Sequence, residues 1–232
     1  MERRDELVAN LADVRTRIAA AESAAGRAAG SVRLVVVTKT WPASDVVLLA
    51  DLGITEVAEN RDQEARPKWE ACADLRLRWH FVGQLQRNKA RSVTSYADVI
   101  ESVDRPELVS ALDRGAQEAG RVVDVLLQLD LADPPQPHRG GVIPVSLAAL
   151  ATVVAEASAL RLVGLMAVAP LGEPPEVAFA RLARVAQDLR VEHPEAVVLS
   201  AGMSNDLEAA VLAGATHVRV GTAVLGGRPA LR

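Results

Sequence analysis

Arg33-Leu34-Val35-Val36-Val37-Thr38-Lys39-Thr40-Trp41-Pro42 is an apolar run that ends in polar residues and a proline, and helix-patterned sequence from Ser44 through Leu52 follows at once. A short β-branched run bounded by turn chemistry reads as a buried strand, so the two pieces together form one β-then-α unit. The unit recurs along the chain. β-type runs fall at 33–38, 55–58, 79–82, 98–102, 122–130, 161–167, 196–199 and 217–220, eight in all. Helix patterning occupies the intervals, as in Arg105 through Ala119, Val145 through Ala159 and Pro175 through Val191. Strict alternation implies parallel strands joined by crossover helices. Eight such units favour a closed α/β architecture, a single (β/α)8 TIM barrel spanning residues 1–232, over an open doubly wound sheet.

Outside the repeat, Leu7, Leu11, Val14 and Ile18 are spaced four, three and four residues apart, which lines up one apolar stripe of an extra amino-terminal helix that Gly26 or Gly30 can close. The stripe lasts about two heptads among mixed charges, which fits a helix packed on the barrel better than a coiled coil or a membrane-surface helix. The Pro- and Gly-rich stretches Asp133 to Gly141 and Pro170 to Pro175 follow strands and read as long βα loops, not linkers.

Composition narrows the function. Half of the 232 residues are hydrophobic but only 3% are aromatic, so the core is expected to consist of Val, Leu, Ile and Ala. With few stacking residues and a net charge of -4, a nucleic-acid partner is not expected. The one cysteine, Cys72, excludes an intramolecular disulfide, and His80, His138, His193 and His217 are scattered without metal-ligand spacing, so no metal is expected. No leader or 18-residue apolar span is visible, which makes a cytoplasmic setting the expectation.

In a barrel every strand delivers its last residues to one rim, where ligand sites gather. Lys39 sits at such an end. A lysine where a strand meets solvent is ordinarily a hydrated charge, but one delivered among apolar neighbours can lose its proton and attack an aldehyde. At the seventh and eighth ends, Ser200-Ala201-Gly202-Met203-Ser204 and Arg219-Val220-Gly221-Thr222 combine Gly-containing turns with hydroxyls before helix starts. Each alone is an ordinary turn and N-cap; together, after strands seven and eight, they favour phosphate. Arg219 shares a strand face with His217, and either a structural ion pair or contact with an aromatic nitrogen or an anion would satisfy it. Lysine, arginine and phosphate cradle together fit an aldehyde-bearing aromatic phosphate such as pyridoxal 5′-phosphate.

The segments V-V-V-T-K-T-W-P, A-E-N-R-D-Q-E, W-H-F-V-G-Q-L-Q-R-N-K, G-L-M-A, S-A-G-M-S-N-D-L-E-A-A and V-R-V-G-T-A-V-L-G occur in order across nearly the whole chain. In these the sequence resembles the pyridoxal phosphate homeostasis protein family (YggS/PROSC). The resemblance implies a barrel similar to the amino-terminal domain of alanine racemase, with the cofactor in Schiff-base linkage to Lys39. It further implies that Ser200 and the backbone around Gly221 and Thr222 hold the phosphate, that Ser204 belongs to the phosphate-side loop, that Arg219 faces the pyridine nitrogen, and that Asn60 and His80 line the pocket near the ring. Ala58 replaces a more usual glycine, Arg61 a common tyrosine and Trp41 a frequent lysine, and the loop His138-Arg139-Gly140-Gly141 lacks the lysine often found before its glycine.

Two-base racemization needs a second acid or base across the ring from the lysine. The one tyrosine, Tyr96, precedes the fourth strand and is expected near the opposite rim; Cys72 is expected to be packing; and no carboxy-terminal domain is expected beyond Thr222. The expectation is therefore a non-enzymatic, monomeric carrier that passes the cofactor to apo-forms of pyridoxal phosphate enzymes. A racemase of low activity and a Schiff-base aldolase acting without the cofactor are the alternatives.

Overall fold

The computed structural model describes residues 2–134 and 139–227. A long helix, α1 (Arg3–Ala24), precedes β1 (Arg33–Val37), α2 (Ala43–Asp51), β2 (Glu56–Glu59), α3 (Asp62–Ala71) and β3 (Arg78–Phe81). A 3-10 turn (Arg87–Lys89) and α4 (Ala90–Thr94) lead to β4 (Val99–Val103), α5 (Pro106–Glu118), β5 (Val123–Leu129) and α6 (Pro144–Ala155). β6 (Leu160–Ala167), α7 (Pro175–Glu192), β7 (Val198–Ser200), α8 (Leu207–Leu212), β8 (His217–Val220) and α9 (Thr222–Leu225) complete the order. The eight strands form a closed parallel barrel in chain order, and β8 returns to β1 with Arg33 opposite His217 and Val36 opposite Val220. The alternation read from the sequence is thus the alternation of the fold.

Two faces of the strands are buried in different ways. Outward-facing Val36, Val57 and Trp79 join Leu49 and Ile54 under the helices, an aliphatic layer of the expected kind. Leu7, Leu11 and Val14 of α1 are no more than 1% exposed and pack with Leu207, Val211, Val224 and Leu225, so the extra helix covers the end of the barrel wall near α8 and α9. Inside the barrel the chemistry changes. Glu56, His80, Glu101, Asp124, Ser200 and Arg219 are each 5% exposed or less, beside a small apolar cluster of Val99, Leu126 and Met166. Where β6 meets β7 the backbones are so close that a Cβ on Gly164 would lie 1.8 Å from the carbonyl oxygen of Val198, which only glycine tolerates. His138 lies outside the described residues.

Candidate functional site

Lys39 follows β1 in the turn Thr38–Trp41, closed by the bond from the Trp41 N–H to the Thr38 carbonyl at 3.1 Å. Thr40, the third residue of that turn, has φ 71°. A β-branched residue in the left-handed region costs about 1–3 kcal/mol and persists only where its surroundings hold it. The half-buried Lys39 opens on a cavity of about 730 Å³ that also exposes Arg219, Gly221, Thr222 and Ser204. Four of the predicted site residues therefore join Lys39 at the carboxyl-terminal rim. The Ser204 hydroxyl accepts from the Ala223 N–H at 3.2 Å and the Thr222 hydroxyl at 3.1 Å, which gathers polar hydrogens beside the cavity wall formed by Ser204 and Thr222, a grouping suited to an oxyanion.

Trp41 and Arg139 also line this cavity. The guanidinium of Arg3 lies 4.3 Å from the Trp41 ring centre and binds Asp45, so the start of α1 steadies the rim at the residue where lysine was the frequent choice. Arg139 binds Asp130 at 2.9 Å and donates to the Val168 carbonyl. Asn60 opens instead on a separate cavity of about 790 Å³ lined by Arg61, Asp62, Phe81, Gln84, Lys89 and Arg105.

His80 and Ser200 do not reach either cavity wall. Both point into the barrel, where they form part of a chain that crosses it. Arg219 donates to the Ser200 hydroxyl at 2.7 Å, Ser200 to Glu101 at 2.6 Å, and Glu101 meets His80 Nδ1 at 2.7 Å. His80 Nε2 continues to Glu56 at 3.1 Å, which accepts from Arg33 at 2.8 Å. β4 and β7 are not neighbours in the sheet, so the bond from Ser200 to Glu101 can only run through the barrel interior. Ser200, which the resemblance places on the phosphate, and His80, which it places near the ring, both support Arg219 through this chain: Ser200 accepts from Arg219 directly and His80 acts on it through Glu101. Of the readings left open for Arg219, the structure shows the ion pair. It has its ion pair, 3.6 Å from Glu101, and it lines the cavity.

The chain sets its own charges. Burial opposes ionisation of Glu56, but the bond and charge of His80 and the bond from Arg33 hold that carboxylate down at about 2. Burial likewise opposes Glu101, and the His80 bond, the Arg219 charge and the Ser200 hydroxyl bring it to about 2. For His80 burial pulls downward, but its bonds to Glu101 and Glu56 prevail and raise it above the usual value, so the two flanking carboxylates favour its imidazolium form. His217, 6.4 Å from His80 ring to ring, is pushed to about 4 by burial, with the Glu56 charge opposing, and is neutral. Arg219 is lowered from the usual guanidinium value by burial, which Glu101 offsets in part.

A second buried group escaped sequence reasoning. Glu59 at the end of β2 is fully buried, and Lys68 of α3 is 7% exposed. They form an ion pair, and Lys68 also donates to the Thr38 carbonyl at 2.9 Å while the Thr38 hydroxyl donates to Glu59 at 2.6 Å. The detectable signal was a glutamate in a four-residue strand, Glu56–Glu59, whose every position is buried. Glu101, in V-I-E-S-V, carried the same signal. Tyr96 is buried and bonded to Asp62 at 3.3 Å, with its ring tilted against Trp69 and the ring centres 6.1 Å apart; burial and Asp62 push its hydroxyl pKa strongly upward. Cys72 is buried in the aliphatic layer, and burial raises its thiol.

Residues 9–229 match the family model described as alanine racemase, N-terminal domain. The pyridoxal phosphate homeostasis protein of Mycobacterium leprae is 43% identical over 97% of this chain and 94% of its own length. That of Escherichia coli K12 is 36% identical over 97% of each chain.

The chain belongs to the pyridoxal phosphate homeostasis protein family.

Among solved structures, PipY of Synechococcus elongatus, with pyridoxal phosphate bound, superimposes with a TM-score of 0.83 at 34% identity, covering 95% of this chain and 100% of PipY. Among the described residues, no helix is long and apolar enough to cross a membrane, and no group of three or more His, Cys, Asp or Glu is placed to hold a metal.

Proposed function

We propose that this chain binds pyridoxal 5′-phosphate at the barrel rim and acts as one domain, a monomeric cytoplasmic carrier that buffers the cofactor and delivers it to apo-forms of pyridoxal phosphate enzymes. The observation that carries the reading is the sharing of one cavity by Lys39, Arg219 and the Ser204, Gly221 and Thr222 cluster. When bound, the cofactor supplies an aldehyde that condenses with a lysine amine, losing water to form a Schiff base, and a ring able to withdraw electrons. Lys39 is the amine. Ser204, Thr222 and the Ala223 N–H are the oxyanion donors, and Arg219 faces the pyridine nitrogen. Asn60, at the carboxyl end of β2, lines a separate cavity and is assigned to the ring side of the site by the family resemblance.

What these residues can do with protons supports retention without turnover. A buried guanidinium does not give a proton to a ring nitrogen, so the ring stays a weak electron acceptor. Among the described residues the Lys39 cavity wall carries no tyrosine, histidine or cysteine to act as a second acid or base. Its carboxylates are engaged: Glu173 pairs with Arg181 at 2.5 Å, and Asp206 accepts from the Met203 N–H at 2.6 Å.

The test is the absorbance spectrum of the protein with added pyridoxal phosphate, followed by borohydride and peptide mapping. A band near ~420 nm lost on reduction, with the label on Lys39, supports the reading. Lys39→Ala is expected to lose the label yet keep weaker, phosphate-dependent binding. No label in the parent overturns the assignment, and exchange of an amino-acid α-proton in deuterated water would replace the carrier with a racemase.

A further inference from the structure

Glu59 and Lys68 lie outside the cavity, yet they touch the peptide that presents Lys39. The Thr38 carbonyl, last acceptor before Lys39, takes two donors: the Trp41 N–H at 3.1 Å and the Lys68 ammonium at 2.9 Å. The Thr38 hydroxyl is tied to Glu59 at 2.6 Å, and the Thr40 N–H, on the far side of Lys39, donates to Glu64 at 3.0 Å. Lys39 is thus flanked on both sides by backbone groups held by charged side chains of β2 and α3. A turn with φ 71° at a β-branched residue needs such holding.

The ion pair is a poor device for stability. Both partners are desolvated, and Glu59 Oε2 has no hydrogen-bond partner, whereas an apolar pair of the same volume would fill the space as well. What an apolar pair could not do is bind the Thr38 carbonyl and hydroxyl together. We propose that Lys68 and Glu59 are positioning residues that fix the Thr38–Trp41 turn and so aim the Lys39 side chain into the cavity. The proposal rests on Lys39 being the cofactor-linking residue, and its test separates the two.

The variant is Lys68→Met with Glu59→Leu, which removes both charges at nearly constant volume. Two readouts are compared with the parent: amide hydrogen exchange at Thr40 and Trp41, which needs no cofactor, and the rate of borohydride-fixed labelling of Lys39 by pyridoxal phosphate. Positioning predicts an unchanged or higher urea midpoint, exchange at least tenfold faster confined to the turn, and labelling at least tenfold slower, with Lys68→Arg retaining most of the parent rate. Parent-like exchange and labelling in the double variant would overturn it. Should the double variant fail to fold, Thr38→Val cuts only the hydroxyl anchor and is read by the same two measurements. If the parent takes no label, the cofactor assignment falls, and turn exchange alone decides whether the pair is a clamp.

Discussion

Glu101→Gln tests the interior chain at its centre. Glu101 is 1% exposed and accepts from Ser200 at 2.6 Å, meets His80 at 2.7 Å and lies 3.6 Å from Arg219. Glutamine keeps the volume and one acceptor but removes the charge, leaving two buried cations with one fewer carboxylate. Breaking a buried pair of this kind costs about 3–5 kcal/mol, of which the retained acceptor recovers about 1. The carboxylate's own titration gives a similar figure: holding it at about 2 against the ordinary 4.5 is worth about 3 kcal/mol at neutral pH. Because the folded-state value is the lower one, this stability is present above about 4.5 and is lost as pH falls towards about 2. Urea unfolding at pH 7 should show the midpoint falling by about 1 M or more, for a slope of about 2–3 kcal/mol/M that does not change. The gap between variant and parent should close as pH drops from about 4.5 to about 2. An unchanged midpoint at pH 7, or a gap independent of pH, would refute the account of the chain as a charge-balanced unit.

The two interior histidines should separate in an NMR titration: His217 titrating near 4, His80 above the usual 6.5. His80 then contributes stability fully present below about 6.5 and lost as pH rises through its folded-state value, whereas His217 makes the protein less stable as pH falls from about 6.5 towards 4; the reverse order of titration would invalidate the charge assignments. Gly164→Ala must part β6 from β7 to relieve a 1.8 Å approach to the Val198 carbonyl, and a loss of at least about 2 kcal/mol in chemical denaturation is expected. Arg219→Gln, read by cofactor titration, is the informative change for the proposed contact with the ring nitrogen and should weaken binding or move the absorbance band. Arg219→Glu would instead set a second carboxylate against Glu101 in a buried site and compromise folding.

Every strand lies within a residue or two of its position in the sequence pattern, because a period of two, β-branched runs and helix-length intervals are local properties that barrel closure does not overrule. The α1 stripe was equally legible, since Leu7, Leu11, Val14 and Ile18 needed only a helix to face one way. Lys39, Ser204, Arg219, Gly221 and Thr222 could be grouped before any coordinates because parallel strands deliver their ends to a common rim. What strand periodicity could not supply was partners. It assigns His80 and Ser200 to a face but not to neighbours, and closure of the sheet set them between Glu101, Glu56 and Arg219. Nor could it bring Lys68 of α3 to the Thr38 carbonyl thirty residues earlier, a contact made only when the helix packs on the strands. Sequence by itself determined the order of elements and the residues at the rim; tertiary structure decided which buried charges neutralise one another, because the desolvation that makes an unpaired charge costly exists only once the barrel has closed.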